Sequence, residues 1–227
     1  MRFLKNKGLC FLIGLFIFLP FSQTKAAHLS NNYSLEFSLV LSSTESQFNY
    51  GSSTYDTRFK KWGINWYEPF FDYFQAGLEI GNIEMTQSGK PSSQYTTGEY
   101  AGVLLRLLPF TSPMFSLSFD LNYRYNSTLG ESTNQLTEFI WDEVMFTGQL
   151  FFHPMKNVWL YMGADHQAIK GEQRDSGVTN RISTFKESEQ KGYRIGIDFI
   201  INHTGTVGIE RLTGFNSGTR LYFSRKF

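Results

Sequence analysis

Residues 115–125 read Phe-Ser-Leu-Ser-Phe-Asp-Leu-Asn-Tyr-Arg-Tyr. Phe115, Leu117, Phe119, Leu121, Tyr123 and Tyr125 are apolar or aromatic, and Ser116, Ser118, Asp120, Asn122 and Arg124 between them are small or polar. Consecutive side chains of a β-strand point to opposite faces, so the stretch predicts a strand with one continuously apolar side and one polar side. The same period of two runs outward through the chain. It is carried by Tyr33, Leu35, Phe37, Leu39 and Leu41; Trp62, Ile64 and Trp66; Phe74, Ala76, Leu78 and Ile80; Ala101, Val103, Leu105 and Leu107; and Tyr193, Ile195, Ile197 and Phe199.

The alternation predicts ten strands, over 33–42, 57–67, 73–86, 96–108, 115–126, 136–152, 158–169, 186–201, 206–213 and 217–227. Most approach the roughly 9–11 residues that a tilted strand needs to cross a bilayer. Eight is the alternative, because 206–213 is short and the pair 136–152 and 158–169 is less cleanly periodic. Connections alternate in length. Those around 68–72, 109–114, 153–157 and 202–205 are tight, while 43–56, 87–95, 127–135 and 170–185 are longer and rich in Ser, Thr, Gly and Asn. Short turns on one side and long loops on the other are the pattern of an all-β, antiparallel, up-and-down transmembrane β-barrel. Pro69, Pro91, Pro109, Pro113 and Pro154 fall in connections, where no ladder hydrogen bond is lost. A soluble β-sandwich also alternates, but here the apolar face is bulky and aromatic on nearly every strand. The polar face is rich in Gly and small residues with isolated charges of both signs, which suits a narrow lumen.

Composition agrees with this reading. The 227 residues are 17% aromatic and 18% charged, which argues against disorder, a coiled coil or a Lys/Arg-built nucleic-acid module. The N-terminus reads as a secretory signal over 1–26. Arg2, Lys5 and Lys7 precede the apolar run Leu9 to Phe21, and Thr24-Lys25-Ala26 supplies a small-x-small cleavage site. The run is too short for a spanning helix, and Cys10 stands at its start rather than at a lipidation position. Cleavage removes four of the 21 basic residues and none of the 20 acidic ones, leaving a single barrel domain over 27–227 with net charge −3. That domain contains no Cys, which excludes disulfides, thiolate metal sites and a cysteine nucleophile. No metal, cofactor or nucleic acid is expected.

The C-terminus reads Asn216-x-Gly218-x-x-Leu221-x-Phe223 and ends in Phe227. This resembles the assembly signal of small bacterial outer-membrane β-barrels of the OmpA, OmpX and opacity-protein kind, although Arg225 stands where that class usually has an apolar residue. The resemblance implies an even-stranded barrel with both termini in the periplasm. It also implies recognition by the outer-membrane insertion machinery, and residence among outer-membrane lipids, lipopolysaccharide included. Aromatic girdles are then expected at Phe70, Phe71, Tyr73, Phe110, Phe115, Phe152, Trp159 and Phe227 on the periplasmic side and at Tyr123 and Tyr125 on the other. Phe59 and Tyr100 lie near outer ends but on the polar parity.

Taking the polar parity as inward places Glu36, Glu79, Asp120, Glu143, Asp198 and Glu210 in the lumen with Lys61, Arg106, Arg124, Arg194 and Arg220. Six acids against five bases nearly cancel, so internal pairing and a closed lumen are expected rather than the one-signed ring of a selective pore. No catalytic residue is assigned. His28 precedes the first strand, and His153 and His203 lie in short turns. His166 lies near the outer rim, where its neighbour Asp165 must face the opposite way. The sequons at Asn32, Asn126 and Asn202 would matter only in a eukaryotic secretory pathway.

Function is therefore expected from a structural or surface-interaction barrel presenting Glu45, Tyr50, Tyr55, Lys90, Tyr95, Arg174, Asp175 and Arg181 on extracellular loops to a possible ligand. A narrow small-solute channel is the alternative. A hydrolase at the outer rim is a third and weaker reading.

Overall fold

The computed structural model describes residues 35–89, 94–132, 134–178, 180–188, 190–202 and 204–227, all within one compact unit spanning 32–227. The segment expected to be a signal peptide, His28, Asn32, Lys90, Pro91 and His203 lie outside these residues. No helix among the described residues is long and apolar enough to cross a membrane.

Strands β1 (Glu36–Tyr50), β2 (Ser53–Phe71), β3 (Phe74–Gln87), β4 (Gln94–Thr111), β5 (Phe115–Ser132), β6 (Gln135–Met155) and β7 (Val158–Gly177) form a continuous antiparallel meander. After the short β8 (Arg181–Glu187), strands β9 (Lys191–Ile200), β10 (Gly205–Gly214) and β11 (Ser217–Lys226) follow, and β11 pairs with β1 to close the sheet. The fold is thus an all-β antiparallel ring of about ten strands, and closure leaves no edge strand in the ring. Both described chain ends lie at one end of the barrel, here the terminal end. The opposite end is the distal end.

Three sequence expectations change. First, 43–56, 127–135 and 170–185 are not loops, and β5 runs on to Ser132. β1 and β2 run on to a two-residue turn at Gly51–Ser52, with Gly51 in the left-handed region at φ 63°, and β6 and β7 reach 21 and 20 residues. These extensions keep an inward series, Thr44, Ser46 and Phe48 on β1 and Ile169, Gly171 and Gln173 on β7, so their ladders continue past the apolar band. Their outward residues turn polar, and that composition resembles a loop.

Second, the strand expected over 186–201 is β9 with β8 beyond it. β7 pairs Gly171 with Phe185 but His166 with Lys191, five residues on one strand against six on the other. One extra residue between β8 and β9 is a bulge. Third, the sheet closes at two levels. β11 pairs with β1 from Glu36 to Glu45, but the β10–β11 hairpin turns back at Phe215–Asn216, assisted by Gly214 at φ 87°. Beyond it β8 pairs directly with β1, Phe48 opposite Glu187 and Asn49 opposite Lys186. Ten strands surround the terminal end and eight the distal end.

Burial is inverted relative to a water-soluble domain. Leu39, Leu41, Trp62, Ile64, Ile80, Met162 and Ile195 lie on the outside and are exposed, whereas Glu79, Asp120, Glu143, Arg194, Asp198 and Glu210 are buried. A contiguous apolar girdle of this extent is untenable in water and suits lipid. Phe70, Phe71, Tyr73, Phe110, Phe115 and Phe227 are exposed at the terminal end, with Phe71 stacked on Tyr73 and Phe115 packed on Phe152. Trp159 departs from the girdle expectation. It lies on the lumen parity between outward Val158 and Leu160, and stacks on His153 at 4.3 Å.

Candidate functional site

The lumen gathers the chain's polar chemistry. Register brings the inward residues of distant strands to common levels, and three separate ion-pair groups result. Nearest the terminal end, Arg106 Nε donates to Asp120 Oδ1 at 2.7 Å, and its guanidinium lies 4.2 Å over the Tyr67 ring. Ser118 Oγ donates to Asp120 and to Gln149.

The second group is built on Arg124. Its Nε and Nη2 grip both oxygens of Glu79 at 2.8 and 2.9 Å, and Nη1 donates to Glu143 at 2.5 Å. Lys61 Nζ reaches the other Glu143 oxygen at 3.1 Å. Both carboxylates are 3% exposed, so the bidentate geometry and the second cation on Glu143 offset a heavy desolvation cost.

The third group spans the wall formed by β6, β7, β9, β10 and β11. Arg194 donates to Asp165 at 2.6 and 3.0 Å and to Thr147, and lies 3.4 Å from Glu210. Glu210 also accepts from Arg220 at 3.2 Å and from the Tyr161 hydroxyl at 3.1 Å. The Tyr222 hydroxyl donates to Asp198, and Ser38 donates to Glu36. Each group is neutral by itself: one cation with one acid, then two with two, then two with two.

Of the eleven lumen charges expected from sequence, nine therefore enter ion pairs, and Glu36 and Asp198 accept hydroxyl hydrogen bonds. Asp165 is the missing member. Because His166 lies on the outward parity, Asp165 had to face inward, and that inference was available from the sequence. Glycines make room for the lumen rings. A Cβ at Gly63 or Gly81 would fall 2.3 or 2.7 Å from Tyr100, one at Gly196 2.3 Å from Tyr161, and one at Gly208 2.2 Å from Tyr222.

Toward the distal end the lumen holds an apolar cluster, bordered by buried polar residues such as Thr57, Gln87, Thr96 and Thr128. Phe48, Phe59, Ile83, Met85, Tyr100, Phe139, Trp141, Ile169 and Phe185 form one buried cluster. Phe48 stacks on Phe185 at 4.7 Å and meets Phe59 at 5.6 Å, and Trp141 lies 5.9 Å from Phe59. The place of Phe59 and Tyr100 off the apolar parity of their strands was the sequence signal for this inward cluster. β8 delivers Phe185 to this cluster. The β10–β11 tip also folds inward, with Phe215 buried and Asn216 Nδ2 bonded to Gln167 at 2.9 Å.

The remaining expected residues are dispersed. His166 is exposed on the outer wall, facing away from Asp165. His153 is on β6 rather than in a turn, with Nε2 3.2 Å from Ser116 Oγ. At the C-terminus Leu221 and Phe223 face outward, Gly218 sits where a Cβ would fall 2.1 Å from the Ser43 carbonyl, and Phe227 packs edge-on against Phe37 at 5.9 Å. Among the described residues no group of His, Cys, Asp and Glu could hold a metal ion.

The sequence matches no protein-family model and no curated protein. Among solved structures, the translocator domain of the autotransporter NalP from Neisseria meningitidis is similar over 87% of this chain and 90% of its own, at 10% identity and a TM-score of 0.50. The outer-membrane protease OmpT from Escherichia coli is similar over 88% of this chain and 99% of its own, at 9% identity and a TM-score of 0.50. At such identities the likeness carries the fold alone, and the chain has the fold of the small bacterial outer-membrane β-barrels.

Proposed function

We propose that the chain is an integral outer-membrane barrel, exported by a cleaved signal peptide, with a lumen closed to solutes, and that it serves as a structural or surface-interaction protein through its distal end. The observation that carries this reading is the stacking of two kinds of closure along one lumen. Three ion-pair groups, each neutral by itself, fill the lumen in place of a one-signed ring, and beyond them Phe48, Phe139 and Trp141 are at most 1% exposed. The closed-lumen reading is tested by single-channel recording of the refolded mature chain in a planar bilayer, with insertion checked independently. An inserted, silent barrel is expected. Reproducible conductance steps would overturn it and favour a narrow channel.

Surface interaction is then a property of the polar strand extensions and their short turns. Deleting 43–56 or 170–185 would remove barrel wall, so a binding test should exchange only the turns at 51–52 and 178–180. Loss of surface binding with insertion intact is the expected result, and unchanged binding would count against the reading. Catalysis at the rim finds no support in the site, since His166 and Asp165 lie on opposite faces of β7. The segment from Asn216 to Phe227 serves in this reading as the recognition signal for the insertion machinery.

A further inference from the structure

The three ion-pair groups of the lumen use neither Ser116 nor His153, which meet at its terminal end. Near the end of β6, His153 and Pro154 together oppose the single Trp159 of β7, a bulge between the pairs Phe152–Leu160 and Met155–Val158. Bulges at barrel rims re-aim side chains. This one lays the imidazole on the Trp159 ring at 4.3 Å and brings Nε2 to 3.2 Å from the Ser116 hydroxyl on β5. A second bulge, between Leu107 and Phe110 of β4, flanks the start of β5 on its other side.

The ring is held from further directions. The His153 backbone N–H donates to the Met114 carbonyl at 2.8 Å, and the imidazole hydrogen-bonds the Pro113 backbone. Proline has no N–H, so the Pro113 carbonyl accepts and the imidazole donates. With one ring nitrogen committed as donor, a neutral imidazole keeps the other as acceptor, which assigns Nε2 to receive the Ser116 proton. Hydroxyl, imidazole and a fixed acceptor behind it is the order that activates a serine nucleophile. Ser116 is 8% exposed, and the Arg106–Asp120 group, tied in through Ser118, lies beyond it toward the lumen interior. Only a small molecule entering from the terminal end can reach the hydroxyl.

We propose that Ser116 and His153 form a nucleophile–base pair that takes the acyl group from a small, water-borne ester. Ser116 Oγ bonds to the ester carbonyl carbon as its proton passes to His153 Nε2. The ester C–O bond then breaks, and the departing alkoxide leaves with that proton, giving acyl-Ser116 and an alcohol. Water attacks the acyl carbon, its proton goes to His153 and on to the departing Ser116 Oγ, and a carboxylic acid is released. The Pro113 carbonyl stands where a carboxylate more often orients the base and carries no full charge, so slow turnover is expected. This activity goes beyond the structural or surface-interaction reading, and its site is at the other end of the barrel from His166.

The test uses the mature full chain refolded in detergent, with folding scored separately by the heat-dependent shift of its gel band. A fluorescent fluorophosphonate is the probe, and peptide mass spectrometry locates its adduct. Labelling of Ser116 is expected, lost in S116A and kept in S112A. Removal of a general base costs about 100-fold or more, so H153Q should label about 100-fold more slowly. Labelling of the wild type should also fall at acid pH as His153 takes up a proton, and H153Q should lose that dependence. With p-nitrophenyl acetate, a burst of about one p-nitrophenolate per folded chain is expected before slow turnover. No adduct on the folded wild-type chain, an adduct only on another residue, or H153Q labelled at the wild-type rate would each overturn the proposal. The first two are read on the wild type, so they decide the matter even where a variant fails to fold.

Discussion

Arg124→Ala isolates the energetics of the lumen. Glu79 receives both of its hydrogen bonds from Arg124, whereas Glu143 keeps the Lys61 ammonium at 3.1 Å when Arg124 is removed. The variant therefore leaves one buried carboxylate, 3% exposed, without a hydrogen-bonded cation. Breaking a buried pair by removing one partner costs about 3–5 kcal/mol, mainly the burden of the orphaned charge. Retention of Lys61 on Glu143 places the expected loss toward the lower part of that range, about 3 kcal/mol. The reasoning has a sharper consequence. Arg124→Ala with Glu79→Gln restores neutrality, leaving Lys61 and Glu143 as an intact pair, so the double variant should recover about 2 kcal/mol over the single one through the coupling of contacting residues. Equilibrium urea unfolding in lipid vesicles, followed by tryptophan fluorescence, measures both values. A double variant no more stable than Arg124→Ala would refute the assignment of the cost to an unpaired Glu79, and a loss below about 1 kcal/mol would refute the account of the network as a buried, coupled unit.

Further outcomes follow from the same geometry. Trp141→Ala empties part of the distal plug and should cost about 3–5 kcal/mol in the same unfolding assay, yet the inserted barrel should stay electrically silent because the ion-pair groups remain. Conductance in that variant would show the plug to be the sole closure. Gly196→Ala places a Cβ 2.3 Å from the Tyr161 ring and should destabilise by about 1–3 kcal/mol through overpacking; adding Tyr161→Ala should relieve the overpacking, and lack of any relief would show that the glycine is needed for another reason. Phe227→Ala should slow assembly by cell-free insertion machinery more than it lowers equilibrium stability, and an equal effect on both would make the terminal ring a packing group instead of a signal.

Much of the fold was legible because strand alternation is a local property. The period of two at 115–125 specifies which side of β5 meets lipid with no knowledge of its neighbours, and a run of such strands with alternating connections leaves few topologies besides a barrel. The lumen parity of Glu79, Arg124 and Glu143 was legible for the same reason, and so was that of Asp165. The polar parity of Phe59 and Tyr100 was legible too, but not that they join an inward aromatic cluster. The extensions of β1, β2, β5 and β7 were not legible, since beyond the apolar band both faces lose the contrast between greasy and polar that signals a strand.

What remained belonged to register and closure. Arg124 finds Glu79 across 45 residues and Arg194 finds Glu210 across 16, and those partnerships exist because hydrogen-bonded ladders align particular residues at one level. A shift of two residues along any ladder would preserve every parity and exchange every partner. The sequence by itself determined the faces: which side chains meet lipid and which meet the lumen, since that depends on the pleat of a single strand. The tertiary structure alone decided the meetings, among them the three neutral ion-pair groups, the bulge between β8 and β9, and the change from ten strands to eight where β8 passes over the β10–β11 hairpin and brings Phe185 onto Phe48. These depend on closing the sheet, which couples strands far apart in the chain.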